Sequence, residues 1–173
     1  MSLIRQIRLL LLGVVLLAIA GGVTVNVLSA RDALQTQLRL KNSDNAQSLA
    51  LALSQQHGEV QLMELLMAAQ FDTGFYRRVK LVRPDGTVAF ERSASSMPTA
   101  APDWFVNLLS IESEPGIAQV SDGWRALGRL EVVSHVSYAY DDLWHGGLRA
   151  AGWMAVVGIA AALLAGVAVH RIR

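Results

Sequence analysis

Two long stretches without a charged side chain constrain this sequence more than anything else in it. Leu9 to Ala30 reads LLLLGVVLLAIAGGVTVNVLSA, and Ala150 to Val169 reads AAGWMAVVGIAAALLAGVAV. An α-helix rises about 1.5 Å per residue, so about 20 apolar residues cross the roughly 30 Å hydrocarbon core of a bilayer. Both stretches qualify as spanning helices. The chain as a whole is 53% hydrophobic with a mean hydropathy of +0.36, too apolar for an ordinary soluble domain.

The flanks give an orientation. Arg5 and Arg8 precede the first stretch, Arg171 and Arg173 follow the second, and neither end holds an acidic residue. All 14 Asp and Glu, with the remaining Lys and Arg, lie between Arg31 and Arg149. Lys and Arg in short flanks mark the cytoplasmic side. The layout expected is a cytoplasmic N-terminus at 1–8, a spanning helix at 9–30, and a periplasmic domain at 31–149. A second spanning helix at 150–169 leads to residues 170–173, the cytoplasmic start of a downstream region. Tyr138, Tyr140, Trp144 and Trp153 form an aromatic belt at the outer interface. The rival reading, a cleaved signal peptide, fits poorly: the apolar run exceeds the usual core, and Leu28 to Ala30 is a weak cleavage site. Arg5 and Arg8 are not adjacent, so the twin-arginine signal is absent.

The second stretch places Gly158, Ala162 and Gly166 four apart on one face, a spacing that lets helices approach closely and invites self-association. Gly146-Gly147 is a candidate hinge at the membrane surface, since each Gly weakens a helix by roughly 1 kcal/mol relative to Ala.

Between the spans the periodicity changes twice. After Ala30 the pattern stays helical to about Gln56; Leu34 and Leu38 share a face, and so do Ala46, Leu49, Ala50 and Leu53. The almost wholly polar run Arg39 to Asn45 reads as a weak or exposed centre. A second helix is expected over Val60 to Gln70, with Leu62, Leu65, Leu66 and Ala69 inward. Alternation then predicts a strand over Tyr76 to Arg83, a turn at Pro84-Asp85-Gly86, and a partner strand over Thr87 to Arg92. Pro102 and Asp103 suit the first turn of a short helix reaching Ser110. Gly116 to Ser121 and Arg125 to Val136 form a second strand pair around Asp122-Gly123, the strongest hairpin signal present. Helix returns from Tyr138. The fold class expected is α+β with a small antiparallel sheet.

Little in the sequence points to chemistry. There is no Cys, which removes disulfides, thiolate metal sites and cysteine nucleophiles. A net charge of +1 offers no basic field for nucleic acid. Asp141, Asp142 and His145 share a helical side, but no further ligand completes a metal set, and a solvated helix end near lipid headgroups explains them. Glu112 and Glu114, two apart, point oppositely on a strand as surface residues. No nucleophile elbow or phosphate loop occurs. The chain reads as a non-enzyme, with no cofactor and no metal.

The residue that stands out is Trp124, directly after Asp122-Gly123 and beside Arg125. A Trp at a hairpin tip either folds back onto its own sheet or projects as an anchor for a partner's pocket.

Several fragments then occur in order: Phe71-Asp72-Thr73-Gly74-Phe75-Tyr76, Glu91-Arg92, Trp104-Phe105-Val106, Ser121-Asp122-Gly123-Trp124, Glu131-Val132-Val133-Ser134-His135 and Leu143-Trp144. Flanked by two spanning helices, they resemble the N-terminal periplasmic domain of the LapD/MoxY family, LapD most of all, over nearly the whole chain. Val136 follows His135 where that family leads one to expect Pro. The resemblance implies a PAS-like domain in a domain-swapped homodimer of the bacterial inner membrane. It implies a receptor whose cytoplasmic domains bind cyclic di-GMP and whose periplasmic domain sequesters a LapG-type cysteine protease, sparing a surface adhesin and the biofilm. The partner-binding residues implied are Trp124 with Asp122, Gly123 and Arg125. Since the sequence stops at Arg173, cyclic di-GMP could act only through domains that lie beyond it. MoxY-like relatives keep open a second reading, a small-ligand sensor domain of a histidine kinase or cyclase.

Overall fold

The computed structural model describes residues 3–171. In chain order the elements are α1 (Leu3–Ser54), α2 (Val60–Phe71), β1 (Tyr76–Val82), β2 (Val88–Ser93), α3 (Asp103–Leu108), β3 (Gly116–Asp122), β4 (Arg125–Ser134) and α4 (Ser137–Arg171). They divide into two compact units. One joins Met1–Asp32 to Asp142–Arg173, and the other is Ala33–Asp141.

The first unit pairs the start of α1 with the end of α4. Both helices are long and apolar enough to cross a membrane. Small residues bring them together. A Cβ added at Gly158 would stand 2.8 Å from Ile19 Cδ1 and 3.1 Å from Val15 Cγ1, and one at Gly147 would stand 3.3 Å from Val27 Cγ2. Gly158 therefore meets α1 of its own chain, a use that the Gly158, Ala162, Gly166 spacing left undetermined. Arg173 lies outside the described residues, as do the side chains of Arg5, Arg8, His170 and Arg171, and Gly166 is described only as part of α4.

The second unit is a four-stranded antiparallel sheet in the order β2-β1-β4-β3, with helices packed against it. Alternation along the strands sends Val79 and Leu81 of β1, Leu130 and Val132 of β4 and Val120 of β3 into one core. Ala46, Leu49, Ala50 and Leu53 of α1 and Met63 and Met67 of α2 meet them there. Each large apolar side chain so buried contributes about 1.5–3 kcal/mol. The mixed helix-and-sheet class and the two apolar flanking helices are as the sequence led one to expect.

Three local expectations are corrected. The polar centre of α1 is exposed at Arg39, Leu40, Lys41 and Asp44, as expected, but Asn42 within it is fully buried, and the helix runs through Arg39–Asn45 unbroken. Asn42 sits four residues after Leu38 and four before Ala46, so helical geometry carries it into the core stripe whatever its polarity. On α2, Leu62 and Leu65 face out, while Met63 and Met67, with Leu66 half-buried, face in. With most of α2 apolar, hydropathy ranks its faces poorly, and the flexible Met side chains fill the irregular space under the sheet. Glu112 and Glu114 lie in the loop between α3 and β3 rather than on a strand, though both are exposed. Element ends elsewhere differ by one or two residues, and Pro102 caps α3 from outside it.

Candidate functional site

The β3–β4 hairpin positions the residue that sequence singled out. Asp122 and Arg125 face each other as the last strand pair, so the two turn residues are Gly123 and Trp124. The sequence reading had centred the turn on Asp122-Gly123, one residue early. Gly123 has φ 59°, and Trp124 is not among the residues with positive φ. Glycine in the left-handed region at the first turn position is the type II′ pattern, which matches the twist of paired strands. A Trp at the second position has no strand beyond it to lie on. Its side chain is fully exposed, at 106% of the reference area. The projecting fate, not the folded-back one, is the one observed.

The hairpin is irregular just below its tip. Val120 pairs with Gly128 but Ser121 pairs with Ala126, leaving Leu127 as an extra residue on β4. Such a bulge increases twist and re-aims what lies beyond it. Here that is the turn with Trp124.

Polar contacts from α1 and the segment after it meet both ends of the hairpin. Near the tip, Ser54 Oγ accepts the amide of Ser121 at 3.1 Å, and it donates to the Ala50 carbonyl at 2.8 Å. His57, itself left-handed at φ 51°, places Nδ1 3.2 Å from Asp122 Oδ1. At the root, Asn42 Nδ2 donates to Ser113 Oγ at 2.9 Å and to the Glu114 carbonyl at 2.6 Å. Asn42 Oδ1 accepts the Ser134 amide at 3.0 Å. The sequence reading missed Asn42, Ser54 and His57. Asn42 alone left a trace, a polar residue at core spacing.

Around Trp124 the predicted residues gather and carry mixed charge. Arg125 is exposed, and no carboxylate pairs with it among the described residues. Asp122 is partly covered and shared with His57. A cleft of about 440 Å³ opens beside them between α2 and the sheet. Met63, Met67, Leu81 and Phe90 line its floor, and Asp122 and Arg125 stand on its wall.

The other candidates are placed elsewhere. Asp141 Oδ1 accepts the Thr99 hydroxyl and the Ala100 amide, both at 2.6 Å, so it fastens the loop before α3 to the start of α4. No group of three or more metal-ligating side chains occurs among the described residues. His135 is buried, with its amide donating to the Phe75 carbonyl at 3.2 Å. Gly146 and Gly147 lie inside α4 without interrupting it.

Comparison with known proteins bears on this arrangement. The family model described as the LapD/MoxY periplasmic domain matches residues 23–144. No curated protein matches the chain. Among solved structures, the LapD periplasmic domain from Pseudomonas fluorescens is similar at 37% identity, with 72% of this chain and 98% of that one covered and a TM-score of 0.41. With the family model spanning most of the chain, including α2, the whole sheet and the Trp124 hairpin, this protein belongs to the LapD/MoxY periplasmic domain family and carries its periplasmic signalling-receptor domain.

Proposed function

We propose that the domain binds and sequesters a LapG-type periplasmic cysteine protease through the Trp124 hairpin, under the control of cyclic di-GMP sensed by cytoplasmic domains outside this sequence. The observation that carries the reading is the full exposure of Trp124 at the tip of a well-braced hairpin. A large apolar side chain held out in water on a rigid turn is costly unless a partner covers it, and Trp is the residue most favoured as an interface anchor. Gly123 sets the turn, while Asp122 and the exposed Arg125 supply polar contacts around the anchor.

In this reading both termini are cytoplasmic and residues 31–149 are periplasmic, on the strength of the flanking arginines. α1 and α4 carry the cytoplasmic state outward, Gly146-Gly147 acts as a hinge, and the receptor works as a homodimer in the inner membrane. Held protease leaves a surface adhesin uncut.

The test is binding of the full chain, in detergent or nanodiscs, to a LapG-type protease. Trp124→Glu should weaken binding by at least about 2 kcal/mol, the scale of an interface hot spot. Undiminished affinity in a folded variant sinks the proposal. Replacing Gly146 and Gly147 together by Ala tests the hinge, which fails if signalling is unaltered.

A second reading, a periplasmic small-ligand sensor, draws on the cleft under α2, whose volume and apolar floor fall in the range of ligand sites. Saturable binding of a small molecule, abolished by Met67→Trp, would favour it.

A further inference from the structure

The buried face of α1 follows helical spacing through Leu38, Asn42, Ala46, Leu49, Ala50 and Leu53. Asn42 is the polar member of that stripe and is fully buried. Its amide group makes three hydrogen bonds, to Ser113, Glu114 and Ser134, which together hold the lead-in to β3 and the end of β4. Gly116, the first residue of β3, abuts the backbone carbonyl of Asn42 so closely that no Cβ fits there. Twelve residues later, or about 18 Å along the helix axis, Ser54 Oγ takes the Ser121 amide, one residue before the closing pair of the turn.

The two polar contacts bracket an apolar contact. Apolar packing is non-directional and tolerates small sliding of one surface on another. Hydrogen bonds do not: they weaken steeply once distance or angle leaves a narrow range. An axial slip of α1 by one residue, about 1.5 Å, would lengthen and misalign the contacts of both side chains.

We propose that Asn42 and Ser54 are positioning residues that clamp the Trp124 hairpin to α1 at its root and near its tip, so that the hairpin's pose follows the axial register of α1. The inference deepens the protease-binding reading and rests on it for its biological meaning. The clamp itself concerns the fold alone. It assigns a role to a buried Asn in a core that apolar residues could otherwise have filled. Two strands tied to the helix by directional contacts at these two points, with apolar packing between them, report movement of it, and the exposed anchor at their tip inherits that movement.

The experiment is amide hydrogen exchange on the full chain in nanodiscs, with binding to a LapG-type protease measured in parallel. Asn42→Ala should accelerate exchange of the Ser134 amide and of the β3–β4 pairing by roughly tenfold, the factor that loss of a typical hydrogen bond gives. Amides of the β1–β2 pairing, such as Phe90 and Arg92, should exchange as in the unaltered chain. Ser54→Ala should act on the Ser121 end alone, and Ser54→Thr, which keeps the hydroxyl, should restore protection. If Asn42→Ala does not fold, the Ser54 pair decides by the same criterion. Acceleration spread equally over both hairpins, or absent from both, overturns the clamp. Protease affinity should fall with hairpin protection in each variant while Trp124 is untouched. Affinity that stays constant as protection falls also overturns the clamp. Should Trp124→Glu bind the protease undiminished, the protease reading fails, and the exchange pattern alone then decides the clamp.

Discussion

The backbone carbonyl of Asn42 occupies the place where any residue other than glycine at position 116 would put its Cβ. This close approach lets α1 lie against the first residue of β3, and it makes Gly116 a packing requirement, not a turn residue. Gly116→Ala must push the strand off the helix or distort one of them. Overpacking of this kind costs about 1–3 kcal/mol, and the upper end applies because the obstacle is backbone. Urea unfolding of the full chain in detergent micelles should show it, and a loss under about 0.5 kcal/mol would contradict the packing described.

Next to Asn42, Lys41 sends its ammonium over two rings, 5.3 Å from the centre of Tyr138 and 5.9 Å from that of Phe75. A cation on aromatic faces at an exposed site contributes about 0.5–1 kcal/mol. Lys41→Met keeps the aliphatic stem and removes the charge, so it should lower stability by about that amount. Lys41→Arg should restore it, and the effect should survive moderate salt better than a surface ion pair does.

The β1–β2 turn carries a pH signature. Asp85 accepts the Thr87 hydroxyl at 2.6 Å and the Thr87 amide at 2.8 Å, and these bonds hold its carboxyl below its ordinary value of 3.8. A lowered folded value means that the stabilisation is complete above the unfolded value and is lost as pH falls through the folded one. The turn should therefore be indifferent to pH from neutrality down to about 4 and loosen only in stronger acid. Carboxyl NMR titration should place Asp85 below its ordinary value, and Thr87→Val should move it part of the way back, since the amide bond remains.

Among the described glycines of the α1–α4 pair, Gly158 lies nearest to the facing helix, against Ile19 and Val15. Gly158→Leu should separate the two helices. Spin labels on single cysteines at Ala18 and Ala161, two residues that flank a shared hollow there, should report a longer distance in the variant. The absence of native Cys makes the labelling clean. An unchanged distance would show that the helices accommodate the bulk without moving.

Much of this architecture was legible in the residue pattern, and the exceptions share a cause. The uncharged runs, the strands and both hairpins announced themselves because period, turn chemistry and charge are local properties. Asn42 was not legible as a core residue, because its partners Ser113, Glu114 and Ser134 lie some seventy to ninety positions away. The inward face of α2 was misassigned because nearly every residue in it is apolar, so only the shape of the sheet beneath selects Met63 and Met67 over Leu62 and Leu65. The turn was displaced by one residue because Asp122-Gly123 and Gly123-Trp124 both satisfy a glycine signal, and the strand register chooses between them. Trp124 itself was conspicuous, but its exposure was not, since a Trp next to a sheet edge is as readily buried as presented.

The strand order β2-β1-β4-β3 also has a temporal side. β4 is the last strand in the chain and yet a central one in the sheet, paired on both flanks. β1 meets it only across a loop of some fifty residues, and α1's buried stripe awaits Leu130 and Val132 to complete its cover. Closing such a loop must precede the contacts that reward it, which slows folding. Until residue 134 has left the ribosome, the earlier hairpin and both helices hold an unfinished core. The domain thus matures late and all at once, and its anchor-bearing turn is presented only when the fold behind it is complete.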